Sequence, residues 1–191
     1  MGTKIYRQSR DALRMLASGP VALVTTMYHD QPNIMTAAWM QPLSLSPLLI
    51  SIAVQPSRLT YEFMTKTEVF TLNIPTVDLL SAVHLCGMIS GNEKDKFEAT
   101  KLTPELGVAT EAPLIAECVA HIECEVRDRV SIGDHDLFVA LPLRVTADDE
   151  AFDGIWKVDV DAGRILNHLG GDRYAGLGKP YQAKLPEDDD S

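Results

Sequence analysis

Ser57, Arg58 and Thr60 form a short polar group between an apolar segment and a predicted helix. Ser57 is a suitable N-cap for a helix that runs to about Lys66. The first turn of such a helix presents free N–H groups and the positive end of its dipole, which both attract anions. The two hydroxyl groups and the guanidinium of Arg58 would complete a phosphate cradle. A plain N-cap beside a solvated arginine explains the same residues, and the sequence has no glycine-rich phosphate loop.

The segment N-I-M-T-A-A-W, from Asn33 to Trp39, combines small residues with one large aromatic ring. Ala37 and Ala38 would let a flat ligand approach the backbone, where larger side chains would collide with it. Trp39 offers a rigid surface on which such a ligand can stack. The segment therefore indicates either a slot for a flat ring or an ordinary strand with a core or interface tryptophan.

The elements that must position these residues are mostly strands. Strands are predicted from β-branched and apolar runs bounded by turn residues, over 20–28, 48–54, 69–74, 115–129 and 135–145. The continuously apolar run 48–54 is expected to be buried on both sides. His29 to Asn33 forms one predicted turn, and Gly133–Asp134 joins the last two strands into a hairpin.

Helices are fewer and shorter. They are predicted over 9–17, 57–66 and 76–85, the first capped by Ser9 and the last by Thr76 or Asp78. Residues 87–99 are polar and punctuated by glycine, which predicts a loop or an irregular lid. The chain loses periodicity after residue 150, so no second core is expected. The fold class is therefore mainly β, a β-barrel with added helices in a single domain, because closure removes exposed sheet edges.

Composition excludes several classes of partner. The chain has 191 residues, 46% of them apolar, and a formal charge of −10 at pH 7. Phosphates repel such a surface, so neither nucleic acid nor an anionic membrane is an expected partner. No apolar run reaches the roughly 18 residues that span a bilayer, and the N-terminus lacks the apolar core of a secretory signal. We expect a cytoplasmic protein.

The three cysteines, Cys86, Cys118 and Cys124, are an odd number, which argues against a disulfide framework. Cys118 and Cys124 flank His121 at a spacing that raises the question of a metal site. On a strand the two thiols would face one side and the imidazole the other, and no fourth ligand stands at zinc-motif spacing. We therefore expect buried thiols and no metal.

Five motifs, in order, resemble those of the flavin reductase-like family, and the last resembles its flavoredoxin branch. The resemblance spans about Pro20 to Ala147 and resumes near the C-terminus. The motifs are N-I-M-T-A-A-W (33–39), S-R-L-T (57–60), D-K-F (95–97), G-D-H-D-L-F (133–138) and H-L-G-G-D-R-Y (168–174).

This resemblance implies a split β-barrel that binds FMN. It implies a barrel domain over 19–180, preceded by a helical segment at 1–18 and followed by an acidic, disordered tail at 181–191. His135 is implied as the catalytic residue on the nicotinamide side. The implied FMN contacts are Asn33, Met35, Thr36, Ala37, Ala38, Trp39, Ser57, Arg58, Thr60, Lys96, His135 and His168.

Ordinary explanations exist for several of these residues. Lys96 lies in a run of mixed charge that is typical of a solvated loop, and His135 would suit an exposed turn. His29 and His84 fall in no motif and are expected to be surface or structural residues.

The sequence departs from the family pattern at two places. Ala37 and Ala38 replace residues that often carry hydroxyl groups, and Asn92 follows Gly91 where the family often has arginine. The second departure weakens the case for NADH or NADPH as electron donor.

The resemblance implies an FMN-binding oxidoreductase that accepts electrons from a nicotinamide or protein donor and passes them to an acceptor. Two alternatives stay open: a two-component reductase that uses flavin as a diffusible substrate, and a non-catalytic flavin-binding module. A homodimer with FMN near the interface is also implied. Large apolar groups beside the predicted pocket agree with it, namely Met35, Trp39, Met40 and Tyr61.

Overall fold

A computed structural model describes residues 2–183 of the chain. Its helices are α1 (Asp11–Leu16), α2 (Leu59–Thr67), α3 (Leu80–Met88) and α4 (Lys96–Thr100), with 3₁₀ turns at Val77–Leu79 and Asp161–Gly163. Its strands are β1 (Gly19–Pro20), β2 (Ala22–Tyr28), β3 (Gln31–Ala37), β4 (Met40–Leu45), β5 (Leu48–Val54), β6 (Val69–Ile74), β7 (Pro104–Glu105), β8 (Leu114–Ile115), β9 (Ala120–Ile132), β10 (His135–Ala147), β11 (Leu166–Gly170) and β12 (Arg173–Gly176).

One antiparallel sheet of seven strands organises the molecule, in the order β3-β2-β6-β9-β10-β5-β4. Side chains alternate across it, so each face builds its own core. Val24 and Phe138 belong to the core on one face, whereas Leu23 belongs to a second core with residues of α3 and α4, among them Val83 and Phe97. The prediction of a mainly β, single-domain fold is confirmed.

Two strand pairings place the residues of interest. β10 pairs with β5, and Asp136 lies opposite Val54, so His135 stands beside the end of β5. α2 begins five residues after β5 ends. The start of α2 and the start of β10 therefore lie on the same side of the sheet, where β5 ends. The predicted hairpin itself is confirmed.

Several predicted boundaries are wrong. The turn at 29–33 contains only His29 and Asp30, both at positive φ, because Gln31 already pairs with Tyr28. Strand β9 starts at Ala120 rather than at 115. Strand β5 has the predicted bounds, but its first three residues are not buried, so it is not covered on both sides throughout.

The predicted caps of the first two helices are also wrong. Arg10 caps α1 and Arg58 caps α2, in each case without a side-chain hydrogen bond, in place of Ser9 and Ser57. The helix predicted over 76–85 is a 3₁₀ turn followed by α3; Thr76 is the N-cap residue of that turn, as predicted, but makes no capping side-chain hydrogen bond.

Two segments are more regular than predicted. The polar stretch 87–99 contains the start of α4, because Asp95 accepts hydrogen bonds from the N–H groups of Phe97 and Glu98. Beyond residue 150, β11 and β12 form a small sheet with β1, in which Gly19 pairs with His168.

The cysteines are buried, as predicted, but the prediction that Cys118 and Cys124 lie on one face of the same strand is wrong. Cys118 precedes β9 and lies in the second core, whereas Cys124 lies on β9 in the first. Burial raises the pKa of Cys124 to about 12, so its thiol stays protonated at neutral pH. His121 instead contacts Asn73, with 2.9 Å between Nδ1 and Oδ1.

No helix within residues 2–183 is long and apolar enough to cross a membrane. Helix α1 lies in the predicted N-terminal segment and buries none of its residues. The domain boundaries at 18 and 180 stay predictions, and most of the predicted disordered tail lies outside the described residues.

Candidate functional site

An open cleft of about 870 Å³, including the solvent at its mouth, lies between the end of β3, the end of β5 and the starts of α2, α4 and β10. Eleven of the twelve predicted ligand contacts line it: Asn33, Met35, Thr36, Ala37, Ala38, Trp39, Ser57, Arg58, Thr60, Lys96 and His135. The fold thus brings together residues from four separate motifs.

One end of the cleft is rich in hydrogen-bond donors. The N–H groups of Leu59 and Thr60, in the first turn of α2, donate to no acceptor within residues 2–183. The Ser57 hydroxyl likewise has no partner among these residues, and the guanidinium of Arg58 is exposed without an ion pair to them. Free N–H groups at a helix N-terminus beside a cation form an anion site.

Lys96 adds a second cation to this end. The side chain is buried, and its Nζ donates one hydrogen bond to the carbonyl oxygen of Cys86 at 2.7 Å. Burial lowers the pKa of Lys96, and the nearby charge of Arg58 lowers it further, while Cys86 acts in the opposite direction. No carboxylate within residues 2–183 pairs with it. A bound anion would compensate this buried charge.

Asn33 lies directly beneath the donor-rich end. Its Nδ2 donates to Thr60 Oγ1 at 2.8 Å, whereas its buried Oδ1 has no hydrogen-bond partner among the described residues. Gly91 lies so close that a Cβ atom there would stand 2.2 Å from Asn33 Oδ1. A side chain at this position would have to displace the side chains of Asn33 and Leu59.

The other end of the cleft is apolar and aromatic. The rings of Trp39 and His135 lie with their centroids 4.8 Å apart at an angle of 37°. His135 Nδ1 is 2.8 Å from Asp134 Oδ1, and this hydrogen bond lowers the pKa of Asp134. The small residues Ala38 and Ala53 line the cleft next to these rings. The arrangement leaves a space walled by backbone and aromatic surface, which suits a flat ring.

Thr36 stands between the two ends, but its hydroxyl is already engaged. Thr36 Oγ1 donates to the carbonyl oxygen of Val83 at 2.5 Å, which ties β3 to α3. A Cβ atom at Gly87 would lie 3.5 Å from Thr36 Cβ, so α3 packs closely here. Thr36 therefore positions the wall of the cleft.

Some predicted residues lie elsewhere. His168 does not line the cleft; its Nε2 is 3.0 Å from the carbonyl oxygen of Gly171, and its predicted contact with FMN stays a prediction. His29 occupies an exposed turn, and His84 lies 3.4 Å from the hydroxyl of Tyr174. Tyr61 is outside the lining as well and donates to Asp136 Oδ2 at 2.8 Å.

Sequence reasoning missed part of the lining. The residues not predicted are Ala53, Val54, Gln55, Leu59, Cys86, Gly87, Ile89, Ser90 and Gly91. Gly87 and Gly91 carried a usable signal, because glycines that punctuate a polar stretch often mark close backbone approach. The predicted lid contributes Ser90 and Gly91 to the cleft wall.

Comparison with known proteins agrees with this geometry. Residues 14–168 match the model of the flavin reductase like domain. An uncharacterized protein of Archaeoglobus fulgidus is 40% identical over 158 residues, which cover 83% of this chain and 84% of that protein.

Two solved structures have the same fold. Flavoredoxin from Methanosarcina acetivorans has a TM-score of 0.83 at 22% identity, over 96% of both chains. The FMN-binding protein of Thermus thermophilus, crystallised with p-hydroxybenzaldehyde, has a TM-score of 0.82 at 24% identity, over 96% of this chain and all of that one. The predicted split-barrel fold is confirmed.

Proposed function

The chain belongs to the flavin reductase-like family, and we propose that it is an oxidoreductase that holds FMN in the cleft between Trp39 and Lys96. The observation that carries the proposal is the pairing of a donor-rich, cationic end with an aromatic end in one cleft. A phosphorylated flavin has the matching parts, namely an anionic group and a flat ring joined by a short chain.

The residues present fit such a cofactor. Ser57, Arg58 and the free N–H groups at the start of α2 would hold the phosphate, and Lys96 would supply a charge-assisted bond. The alanines beside Trp39 leave room for the ring. Bound FMN would supply hydride and single-electron transfer, while the protein supplies position and electrostatics.

His135 is the candidate catalytic residue. It lies against Trp39 at the aromatic end, half-buried, with Asp134 accepting a hydrogen bond from its Nδ1. This contact leaves Nε2 as the ring nitrogen available to a reactant. A histidine oriented in this way can hold a donor molecule or exchange a proton with it.

A diffusible-flavin reductase is the second candidate. Ser57 and Arg58 are exposed and Trp39 is 42% exposed, so the cleft is open to solvent beside these residues. Such a site favours exchange of the flavin more than a closed site would. The electron donor in either case is NADH, NADPH or a protein, and measurements of flavin reduction decide among the three.

We further propose that the protein acts as a homodimer with the cleft near the interface. Exposed apolar side chains beside the cleft support this, among them Leu13 and Leu16 on α1 together with Trp39. A second copy would cover this surface. Light scattering of the FMN-loaded protein at micromolar concentration should give twice the monomer mass of 21.0 kDa; a monomer mass would refute the dimer.

Anaerobic stopped-flow reduction tests the oxidoreductase proposal. FMN-loaded protein is mixed with NADH, with NADPH or with a reduced protein donor, and flavin absorbance is followed. Reduction that is saturable in one donor supports the proposal. Fast NAD(P)H oxidation only when free flavin is added favours the diffusible-flavin alternative, and a loaded protein inert to every donor favours the non-catalytic module.

A further inference from the structure

Asn33 differs from the other buried asparagine of the sheet. Asn73 is fully satisfied, because its Nδ2 donates to Leu23 and Thr25 and its Oδ1 accepts from Ile115 and His121. Asn33 is equally buried, at 3% exposure, yet its Oδ1 has no partner within residues 2–183. Buried polar groups normally find partners, so an unsatisfied one in a cleft wall indicates a role other than holding the fold.

The hydrogen bond from Asn33 makes the Thr60 hydroxyl an acceptor on one side and leaves its proton for another partner. An amide nitrogen can only donate, so Thr60 Oγ1 accepts at 2.8 Å and must direct its own proton elsewhere. Thr60 is 1% exposed and lines the cleft, and its hydroxyl donates to no atom of the described part of the chain. The Thr60 hydroxyl therefore has a proton available for an acceptor that binds in the cleft.

Gly91 holds Asn33 in this orientation. The side-chain amide is packed against the Gly91 backbone, where a Cβ atom would lie 2.2 Å from Oδ1 and 3.0 Å from Leu59 Cδ2. Rotation of the amide away from Thr60 would break its hydrogen bond and change its contact with this loop. The orientation of the Thr60 hydroxyl is thus built in before a ligand arrives.

We propose that Asn33 is a positioning residue that commits the Thr60 hydroxyl to donate toward a phosphate, and so makes the cleft select phosphorylated over unphosphorylated flavin. The inference rests on the proposed function and deepens it. Phosphate oxygens only accept at neutral pH, and they match a site in which the hydroxyl, the N–H groups of α2 and Lys96 all donate. The terminal hydroxyl of riboflavin is neutral and makes weaker bonds there.

The test is the ratio of FMN to riboflavin affinity in four proteins. Asn33→Leu removes the hydrogen bond without adding charge, Thr60→Val removes the hydroxyl, and the double variant carries both changes. Asn167→Leu, the same change at a position on β11 that does not line the cleft, is the control. We expect Thr60→Val to lower FMN affinity about ten- to hundredfold, as the loss of one charge-assisted bond does, and Asn33→Leu to lower it about 2- to 10-fold, because the hydroxyl stays but loses its fixed direction. Both changes should lower riboflavin affinity less than about 3-fold.

Two outcomes would overturn the inference. The double variant should bind FMN no more weakly than Thr60→Val alone, because Asn33 acts only through that hydroxyl; additive losses contradict this. An unchanged FMN-to-riboflavin ratio in Asn33→Leu also contradicts it. If Asn33→Leu does not fold, Thr60→Ser and Thr60→Val decide: serine should keep the ratio and valine should lower it.

A flavin-free readout separates this inference from the proposed function. Inorganic phosphate is titrated into the flavin-free protein, with the midpoint of thermal unfolding as the signal. Wild type should be stabilised by phosphate, and Asn33→Leu clearly less. If phosphate stabilises the wild type more than Asn33→Leu but the wild type binds no FMN, the inference about Asn33 and Thr60 holds and the proposed function fails. Equal stabilisation of both proteins would defeat the inference alone.

Discussion

The rings of Trp39 and His135 lie 4.8 Å apart although the residues are distant in the chain, Trp39 just before β4 and His135 at the start of β10. β5 stands between them: the N–H of Ala53 donates to the carbonyl oxygen of Trp39 at 2.9 Å, and Val54 pairs with Asp136. The aromatic end of the cleft is therefore assembled on backbone hydrogen bonds. Residues placed in this way are held more precisely than residues on free loops.

Replacing His135 by alanine should lower the rate of flavin reduction more than the affinity for FMN. The imidazole packs against Trp39 and hydrogen-bonds to Asp134, and neither of these residues belongs to the group that would hold the phosphate. We expect the reduction rate to fall by about 10²-fold or more, the usual range for loss of a general acid or base, and the dissociation constant of FMN to rise less than fivefold. Stopped-flow reduction and FMN titration measure the two quantities. His29→Ala, in the exposed turn, should change neither; an equal loss in both variants would refute the assignment.

Replacing Lys96 by alanine should weaken FMN binding. A charge-assisted hydrogen bond contributes roughly 1.5–3 kcal/mol, which is about ten- to hundredfold in affinity. Lys94→Ala is a matched control, because Lys94 is exposed in the same run and does not line the cleft. Fluorescence titration of FMN decides the point. If the two variants bind FMN equally well, Lys96 does not contact the cofactor.

The free energy of unfolding should depend on pH through His121. Burial lowers the pKa of His121 below its ordinary value of 6.5, against the opposing charges of Asp148, Glu105 and Glu123. The unfolded chain then binds the proton more readily than the folded chain. Stability should therefore decrease as the pH falls from about 6.5 through the lowered pKa, and level off below it.

Urea unfolding at several pH values measures this dependence. His121→Gln should show a shallower slope below pH 6.5 than wild type, because it removes the imidazole whose pKa is lowered. Parallel curves for wild type and His121→Gln would exclude His121 as the titrating group.

Replacing Glu123 by glutamine should destabilise the loop before β8. The buried Oε2 of Glu123 accepts hydrogen bonds from the N–H groups of Val108, Ala109 and Thr110 at 2.9, 2.6 and 2.9 Å. Loss of the charge should cost about 1–3 kcal/mol of unfolding free energy. Glu125→Gln, at a half-buried position on the same strand, removes only a solvent-accessible ion pair with Arg127 and should cost less than about 1 kcal/mol. Equal losses in chemical denaturation would contradict this role for Glu123.

The fold could be predicted from sequence where local signals were strong. Pro47 and Pro56 bracket β5, whose bounds were predicted correctly, and Gly133–Asp134 fixed the hairpin turn. β11 and β12 could not be predicted, because their residues have little alternation and become strands through pairing with β1. The long-range partner, rather than local propensity, decides such elements.

The candidate site was predictable to a similar extent. The motifs around Thr36, Thr60 and Lys96 identified most of the cleft. The hydrogen bonds that give the two threonines different roles could not be predicted. The Thr36 hydroxyl donates to the carbonyl oxygen of Val83, whereas the Thr60 hydroxyl accepts from Asn33 and donates to no other described residue. Such differences depend on atoms that are distant in sequence and meet only in the fold.

The visible absorption spectrum of the purified protein, before and after dialysis, shows whether the cleft holds FMN. We expect flavin absorbance that dialysis does not remove, or that returns in stoichiometric amount when FMN is added to the dialysed protein. A protein that stays colourless, and that shows no spectral change or fluorescence quenching when titrated with FMN, would contradict this expectation.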